Sequence, residues 1–278
     1  MTDARLAGPM PDYAGSRTSR QARAQRWFTE PELIPVTAEH EARLTRFFGL
    51  ATFSVGMAKL GRAPGRILEV GCGTGHQLAM VANMTTETEF VGIDPSAAAI
   101  ARARQNAPDN PRLRFRQLGA EDLADTRIAA EIGEFDLAFV NLTIAVWDDP
   151  VSGLAAVMTR LAPGGVCYVI DLVRPADPEH AAQFLSGAVN EAEKRYLLDQ
   201  MAAWYTSREL EELALAVCPP GGGASVELTY RALDEYAVDV VGGATPLVES
   251  DMDEIGTKRR HVCHLFFAKQ PNELGRAT

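Results

Sequence analysis

The chain has 278 residues, 46% of them hydrophobic and 23% charged, with a formal net charge of −10. That is globular composition, long enough to bury a full core without disulfide or metal staples. The acidic balance disfavours a nucleic-acid substrate, which needs a basic surface, and no apolar run approaches the roughly 20 residues of a membrane span. Cys72, Cys167, Cys218 and Cys263 form no CxxC pair. They suggest neither a zinc site nor a disulfide framework, and a reducing cytoplasm is expected.

The first 26 residues carry Arg5, Arg17, Arg20, Arg23 and Arg26 but no apolar core of a secretory signal. They read as a tail that is mobile or orders over the site, with a transit peptide as the alternative. From Thr37 to about Leu60, Leu44, Phe47, Phe48, Ala51, Val55 and Ala58 recur at helical spacing. Gly61, Pro64 and Gly65 stop that helix, so residues 1–60 are expected as a helical segment on the main domain.

An alternation follows. Residues 67–70 read as a strand ending in glycines, 77–84 as a helix and 90–93 as a strand closed by Asp94-Pro95. Ser96 is the expected N-cap of the next helix. Strands are expected at 113–117, 135–141 and 166–171, with a helix at 151–161 ending in Pro163-Gly164-Gly165. Strand and helix in turn predict an α/β fold of doubly wound, Rossmann-like type with a mostly parallel sheet. Residues 61–174 form this core. Residues 175–217 contain no strand and read as a helical insertion or lid, in two pieces at 179–199 and 207–217. Residues 218–278 bring two more strands, 225–230 and 262–268, joined by a long link that is acidic at 249–254.

The chemistry sits in Glu69-Val70-Gly71-Cys72-Gly73-Thr74-Gly75. An open parallel sheet binds ligands at the carboxyl ends of its strands. Glycines there adopt positive φ and let the backbone approach a ligand, and the next helix offers free N–H groups. Asp94 ends the second strand, where an acid grips both hydroxyls of a ribose. A dinucleotide fingerprint would need glycine at position 76, which is His76, and Glu69 is a poor neighbour for a pyrophosphate. Glu69 suits a cationic ligand carrying an ammonium and a sulfonium.

With these residues, 66–171 resembles the class I, Rossmann-like S-adenosylmethionine-dependent methyltransferases. The matching segments are Glu69 to Gly75, Gly92-Ile93-Asp94-Pro95-Ser96, Ala120-Glu121-Asp122-Leu123, 135–142 and Leu161-Ala162-Pro163-Gly164-Gly165. The resemblance implies a seven-stranded sheet with an antiparallel last strand, which 262–268 supplies. It implies S-adenosyl-L-methionine as cofactor, with Gly71, Cys72, Gly73 and Gly75 at the methionine part and Glu69 near its ammonium. Asp94 and Pro95 lie at the ribose, Ala120 and Glu121 at the adenine, and Asn141 and Leu142 beside the reacting methyl. Many relatives carry an Asp where this chain has Gly119, which weakens the adenine assignment.

Methyl transfer from a sulfonium is an in-line displacement with a neutral leaving group, so positioning supplies most of the acceleration. No fixed catalytic residue follows. His180, Asp148 and Asp149 are candidate bases at loop positions. Trp147, Trp204 and Tyr205 are candidate walls for a small-molecule acceptor, or plain core. His76 reads as a helix cap or sheet-facing side chain, Cys72 as packing, and His261 and His264 as pointing to opposite strand faces, so no metal site is expected. A compact acceptor such as a secondary metabolite is expected. A non-methylating reaction on the same cofactor, such as a cyclisation, and a non-catalytic binding subunit are the alternatives.

Overall fold

The computed structural model describes residues 9–44, 49–107, 110–221, 223–231 and 261–270. Phe47 and Phe48 of the expected N-terminal helix, and the acidic run at 249–254, lie outside them. Among the described residues one sheet carries seven strands, β1 (Arg66–Val70), β2 (Glu89–Asp94), β3 (Leu113–Gln117), β4 (Phe135–Asn141), β5 (Leu161–Leu172), β6 (Ala224–Arg231) and β7 (Val262–Lys269). Their order is β3-β2-β1-β4-β5-β7-β6. The first five pair in parallel, and β7 runs antiparallel between β5 and β6. This is the expected sheet.

Burial follows position in the sheet. Ile67, Leu68, Glu69 and Val70 of central β1 are all buried, whereas edge strand β6 alternates with half-exposed residues. Two apolar clusters cover the two faces. Leu68, Val70, Val140, Leu154 and Val169 belong to the larger, and Ile67, Leu78, Phe90, Phe139 and Tyr168 to the smaller.

The helices begin where their caps say. Ser96 caps α5 (Ala97–Asn106) by accepting from Ala99 N at 3.3 Å. Asp149 and Pro150 open α7 (Pro150–Thr159), while Thr206 and Glu209 form a reciprocal capping box on α10 (Ser207–Val217). α4 (His76–Ala82) follows the glycine loop, and α6 (Thr126–Ile132) precedes β4.

Three expectations differ in detail. The strand expected at 166–171 starts at Leu161 and takes Pro163-Gly164-Gly165 into itself as a register shift against β4. The helix expected at 179–199 is two, α8 (Pro178–Leu185) and α9 (Glu191–Ala203), because Asn190 caps a new start by accepting from Glu193 N at 2.8 Å. The 37–60 stretch likewise shows α2 (Ile34–Leu44) and α3 (Leu50–Leu60) as separate elements.

The Arg-rich stretch read as a tail holds α1 (Arg17–Thr29), capped by Ser16 and packed on α9. Its arginines serve the partner helix. Arg20 Nε and Arg17 Nη1 donate to the carbonyls of Ala202 and Ala203, at 2.9 and 3.1 Å, at the end of α9 where carbonyls lack helical partners. The Arg17 guanidinium also lies 3.5 Å over the Tyr205 ring. Trp27 is buried and donates Nε1–H to Asp199 at 2.9 Å. α1, α2 and α9 therefore form one roof, α8 packs beside α9, and α3 lies on β4 and β5. The second expected lid piece, 207–217, is α10, which packs on α7 and β6 rather than over the carboxyl edge.

Candidate functional site

The sheet order reverses between β1 and β4, and an open cavity of about 860 Å3 lies at their carboxyl ends. Its floor is the loop after β1. Gly71, Gly73 and Gly75 have φ of 73°, 51° and 75°, a region that side chains strain to enter. The loop is tied to β2 by Gly71 and Cys72 N–H groups, which donate to Ile93 O at 2.8 and 3.0 Å. Asp94 accepts from Gly73 N at 3.0 Å and from Ser96 N at 2.8 Å, so its carboxylate is fixed at the mouth of the loop.

Of the residues singled out for the cofactor, Glu69, Gly71, Cys72, Gly73, Asp94, Pro95, Ala120, Glu121, Asn141 and Leu142 all line this one cavity. Gly75 stands behind, as the cap of α4. Glu69 is 3% exposed, and its Oε2 has no hydrogen-bond partner. Burial, then the charges of Glu41 and Asp94, push its carboxyl up to about 8. Asp94 is raised by burial, against the pull of the Ser96 and Gly73 amides. Asn141 donates Nδ2–H to Gln77 Oε1, while its own Oδ1 is buried without a partner. Leu142 has φ of 54°, the positive-φ residue other than glycine among the described residues. Such a conformation costs roughly 1–3 kcal/mol and marks an over-determined position. Cys72 is a packed thiol, raised well above its ordinary value by burial and then by Glu69.

The roof supplies the opposite wall with Phe28 and Thr29 of α1, Ile34, Thr37, His40 and Glu41 of α2, and Tyr196, Leu197 and Gln200 of α9, with Trp204 just past its end. Trp147 and Trp204 line the cavity. Tyr205 is not among the lining residues; it lies under Arg17 and pairs with Val173. The three candidate bases separate. Asp148 lines the cavity and accepts from Gln25 Nε2 at 2.8 Å. Asp149 is an exposed helix cap holding Ser152. His180 is buried away from the cavity, its ring 4.2 Å from that of His261. His264 bonds Tyr168 on the other sheet face, so the two histidines of the last strand region do diverge.

Two cavity residues have no signal in the sequence. His40 Nδ1 lies 2.6 Å from Glu193 Oε1 and its ring packs on Tyr196. Glu193 is buried and also receives Arg43 and the Val189 N–H. Burial holds the His40 pKa below its ordinary value, against the pull of Glu193. Glu41 reaches down from α2, and its Oε2 accepts from Thr74 Oγ1 at 2.8 Å and Thr74 N at 3.2 Å. An acid on an amphipathic helix reads as surface, and its partner lies 33 residues away.

The floor thus brings together the Asp94 carboxylate, fixed at the mouth of the glycine loop, and the buried, unpartnered oxygen of Glu69.

Residues 68–167 match the methyltransferase-domain family. The chain is 34% identical over 129 residues to trans-aconitate 2-methyltransferase of Deinococcus radiodurans, covering 46% of this chain and 45% of that relative. It thus spans a little under half the length of that curated relative. The plantazolicin methyltransferase BamL, solved with a triazolic desmethylPZN analogue and SAH, superposes with a TM-score of 0.71 at 22% identity, over 91% of this chain and 96% of its own. The 4+2 cyclase SpnF superposes at 0.51 and 17%, over 80% and 81%. Residues 68–167 are thus similar to a methyltransferase domain, and the described chain shares the fold of BamL.

Proposed function

We propose that this protein binds S-adenosyl-L-methionine between Glu69, the glycine loop and Asp94, and transfers its methyl group to a small molecule held under the helical roof. The observation that carries this is Glu69, a buried carboxylate with an unpartnered oxygen beside a positive-φ glycine loop. An uncompensated buried acid costs stability. A ligand with an ammonium and a sulfonium turns that cost into binding.

The bound cofactor supplies an electrophilic methyl on a sulfonium whose departure leaves a neutral thioether. The protein's share is placement. Asp94 orients the ribose, Asn141 and the constrained Leu142 shape the wall beside the methionyl chain, and Trp147, Trp204 and Tyr196 enclose the acceptor. Where the acceptor loses a proton, His40 is placed to take it. Glu193 holds Nδ1 and stabilises the imidazolium, leaving Nε2 for the acceptor.

Electrostatics narrow the acceptor. Glu41, Glu69, Asp94, Glu121 and Asp148 line the cavity. Arg26 also lines it, but pairs with Glu30 at 2.6 Å. An uncharged or cationic aromatic acceptor therefore suits these walls better than trans-aconitate, the substrate in a relative's name. The cavity volume lies high in the roughly 300–1,000 Å3 range of small-molecule sites. Nucleic acid is disfavoured by the net charge of −10. The four cysteines are free and buried, which fits a cytoplasmic protein. Among the described residues no helix is long and apolar enough to cross a membrane.

Calorimetry tests the cofactor, with micromolar binding of S-adenosylhomocysteine expected and no specific binding of NAD. The reverse result removes the reading. Transfer of labelled methyl from the cofactor into product tests the reaction. Product formed from a bound substrate while the cofactor stays intact would place the protein with non-methylating users of this fold.

A further inference from the structure

Glu41 belongs to the roof and yet lies on the floor. Its Oε1 stands 2.5 Å from where a Cβ on Gly73 would be, while Oε2 holds the Thr74 hydroxyl and N–H. We propose, resting on the cofactor reading above, that Glu41 is a specificity-determining residue of the cofactor site. Together with Glu69 and Asp94 it senses the sulfonium charge, so that the charged cofactor is held more tightly than its neutral thioether product.

Three carboxylates converge on one cavity wall. Burial raises all three: Glu41 to about 7 against the Thr74 hydrogen bonds and with the charge of Asp94 adding to it, Glu69 to about 8 with the charges of Glu41 and Asp94 adding to it, and Asp94 against the Ser96 and Gly73 amides. Among the described residues, the other titratable groups bearing on Glu41 are the Cys72 thiol, the buried Tyr196 on α9, and on its own helix His40 and Arg43, both engaged by Glu193. Glu69 Oε2 is buried and unpartnered beside them. A ligand-free site of this kind holds protons near neutrality, and a cation arriving there expels them. The ammonium and carboxylate of the amino acid part are common to cofactor and product. The difference between the two ligands is the sulfonium charge, and a carboxylate within reach of it acts on one ligand and not the other.

The substitution Glu41→Gln isolates charge, because an amide oxygen still accepts from Thr74. Titration calorimetry of the full chain with S-adenosylmethionine and S-adenosylhomocysteine, from pH 6 to 9 in two buffers of different ionisation enthalpy, reads affinity and protons together. The wild type is expected to prefer the sulfonium, increasingly as pH rises through 7 to 8, and to release protons on binding it. In Glu41→Gln the sulfonium is expected to bind about tenfold more weakly, the thioether to change less than about twofold, and proton release to shrink. Glu41→Asp, which keeps the charge, is expected to retain the preference, and thermal melts confirm that each variant is folded. Equal losses for both ligands with unchanged proton release would reduce Glu41 to a packing role and overturn the inference. Tighter binding by Glu41→Gln would do the same, making Glu41 a plug. If neither ligand bound the wild type, the cofactor reading itself would fall.

Discussion

The floor and the roof of the cavity are built by different rules. The floor is local. Glu69, Gly71, Gly73 and Asp94 sit at the ends of two adjacent parallel strands, and each is needed for a property of its own residue type, either positive φ or a carboxylate. The roof is long-range. Arg17 reaches Ala203 across 186 positions, and His40 reaches Glu193 across 153. Arginine, histidine and glutamate occur on any helix surface, so nothing in their type announces the pairing. In the function proposed above, the floor is the cofactor's half of the site and the roof the acceptor's.

Breaking the floor should have the largest effect. Gly73→Val places a β-branched side chain at φ 51°, against the Glu41 carboxylate. Binding of S-adenosylhomocysteine is expected to vanish by calorimetry while circular dichroism still reports a folded α/β protein. Normal affinity in a folded variant would show that the loop is not the cradle. Asp94→Ala should follow, weakening the same ligand at least about tenfold, since a hydrogen bond to a charged group is worth roughly 1.5–3 kcal/mol. Unchanged affinity would take Asp94 away from the ribose.

Breaking the roof should leave the floor working. Trp27→Ala removes a side chain that is 4% exposed and bonded to Asp199, and is expected to cost about 3 kcal/mol of stability by chemical denaturation. Cofactor affinity measured well below the melting temperature should stay within about threefold, as expected for distant sites. A parallel collapse of cofactor binding would mean that floor and roof are one unit. Trp204→Ala should act more narrowly, on acceptor KM or kcat in a methyl-transfer assay, with cofactor affinity spared.

The smallest effect sharpens the comparison through pH. Glu69 titrates near 8 in the folded, ligand-free protein and near its ordinary 4.5 when unfolded. The folded state therefore holds the extra proton. The stability that proton lends is fully present below about 4.5 and is lost as pH rises through about 8. Glu41 and Asp171, both raised to about 7 by burial, act with the same sign. The Tm of the ligand-free wild type is expected to fall between pH 6 and 8.5. Glu69→Gln should fall less, ending about 3 °C or more above wild type at pH 8.5, while binding the cofactor more weakly. Parallel Tm curves would show that Glu69 is already ionised and compensated.

Legibility follows the same division. The strands at 113–117 and 135–141 have the residue limits expected from their apolar alternation and turn residues. The residues expected at the cofactor converge on one cavity because five short motifs recur in order along adjacent strands. The tail expected at 1–26 is a helix from Arg17 because its arginines are matched to carbonyls of a helix that the chain reaches only later. His180 looked chemical at its loop position but is packed against Phe184 and His261. His40, which belongs to no motif, lines the cavity with a buried carboxylate behind it.

The placement of β7 has a consequence for how the molecule is made. β6 pairs with β7, and β7 with β5. During synthesis β5 and β6 emerge before the strand that joins them, leaving two open edges with unpaired backbone groups. The parallel half of the sheet can assemble early, but the far side waits for residues 262–269. Contacts of such sequence separation form slowly. The interval before β7 arrives is the period in which the nascent chain is most exposed to aggregation and to chaperones.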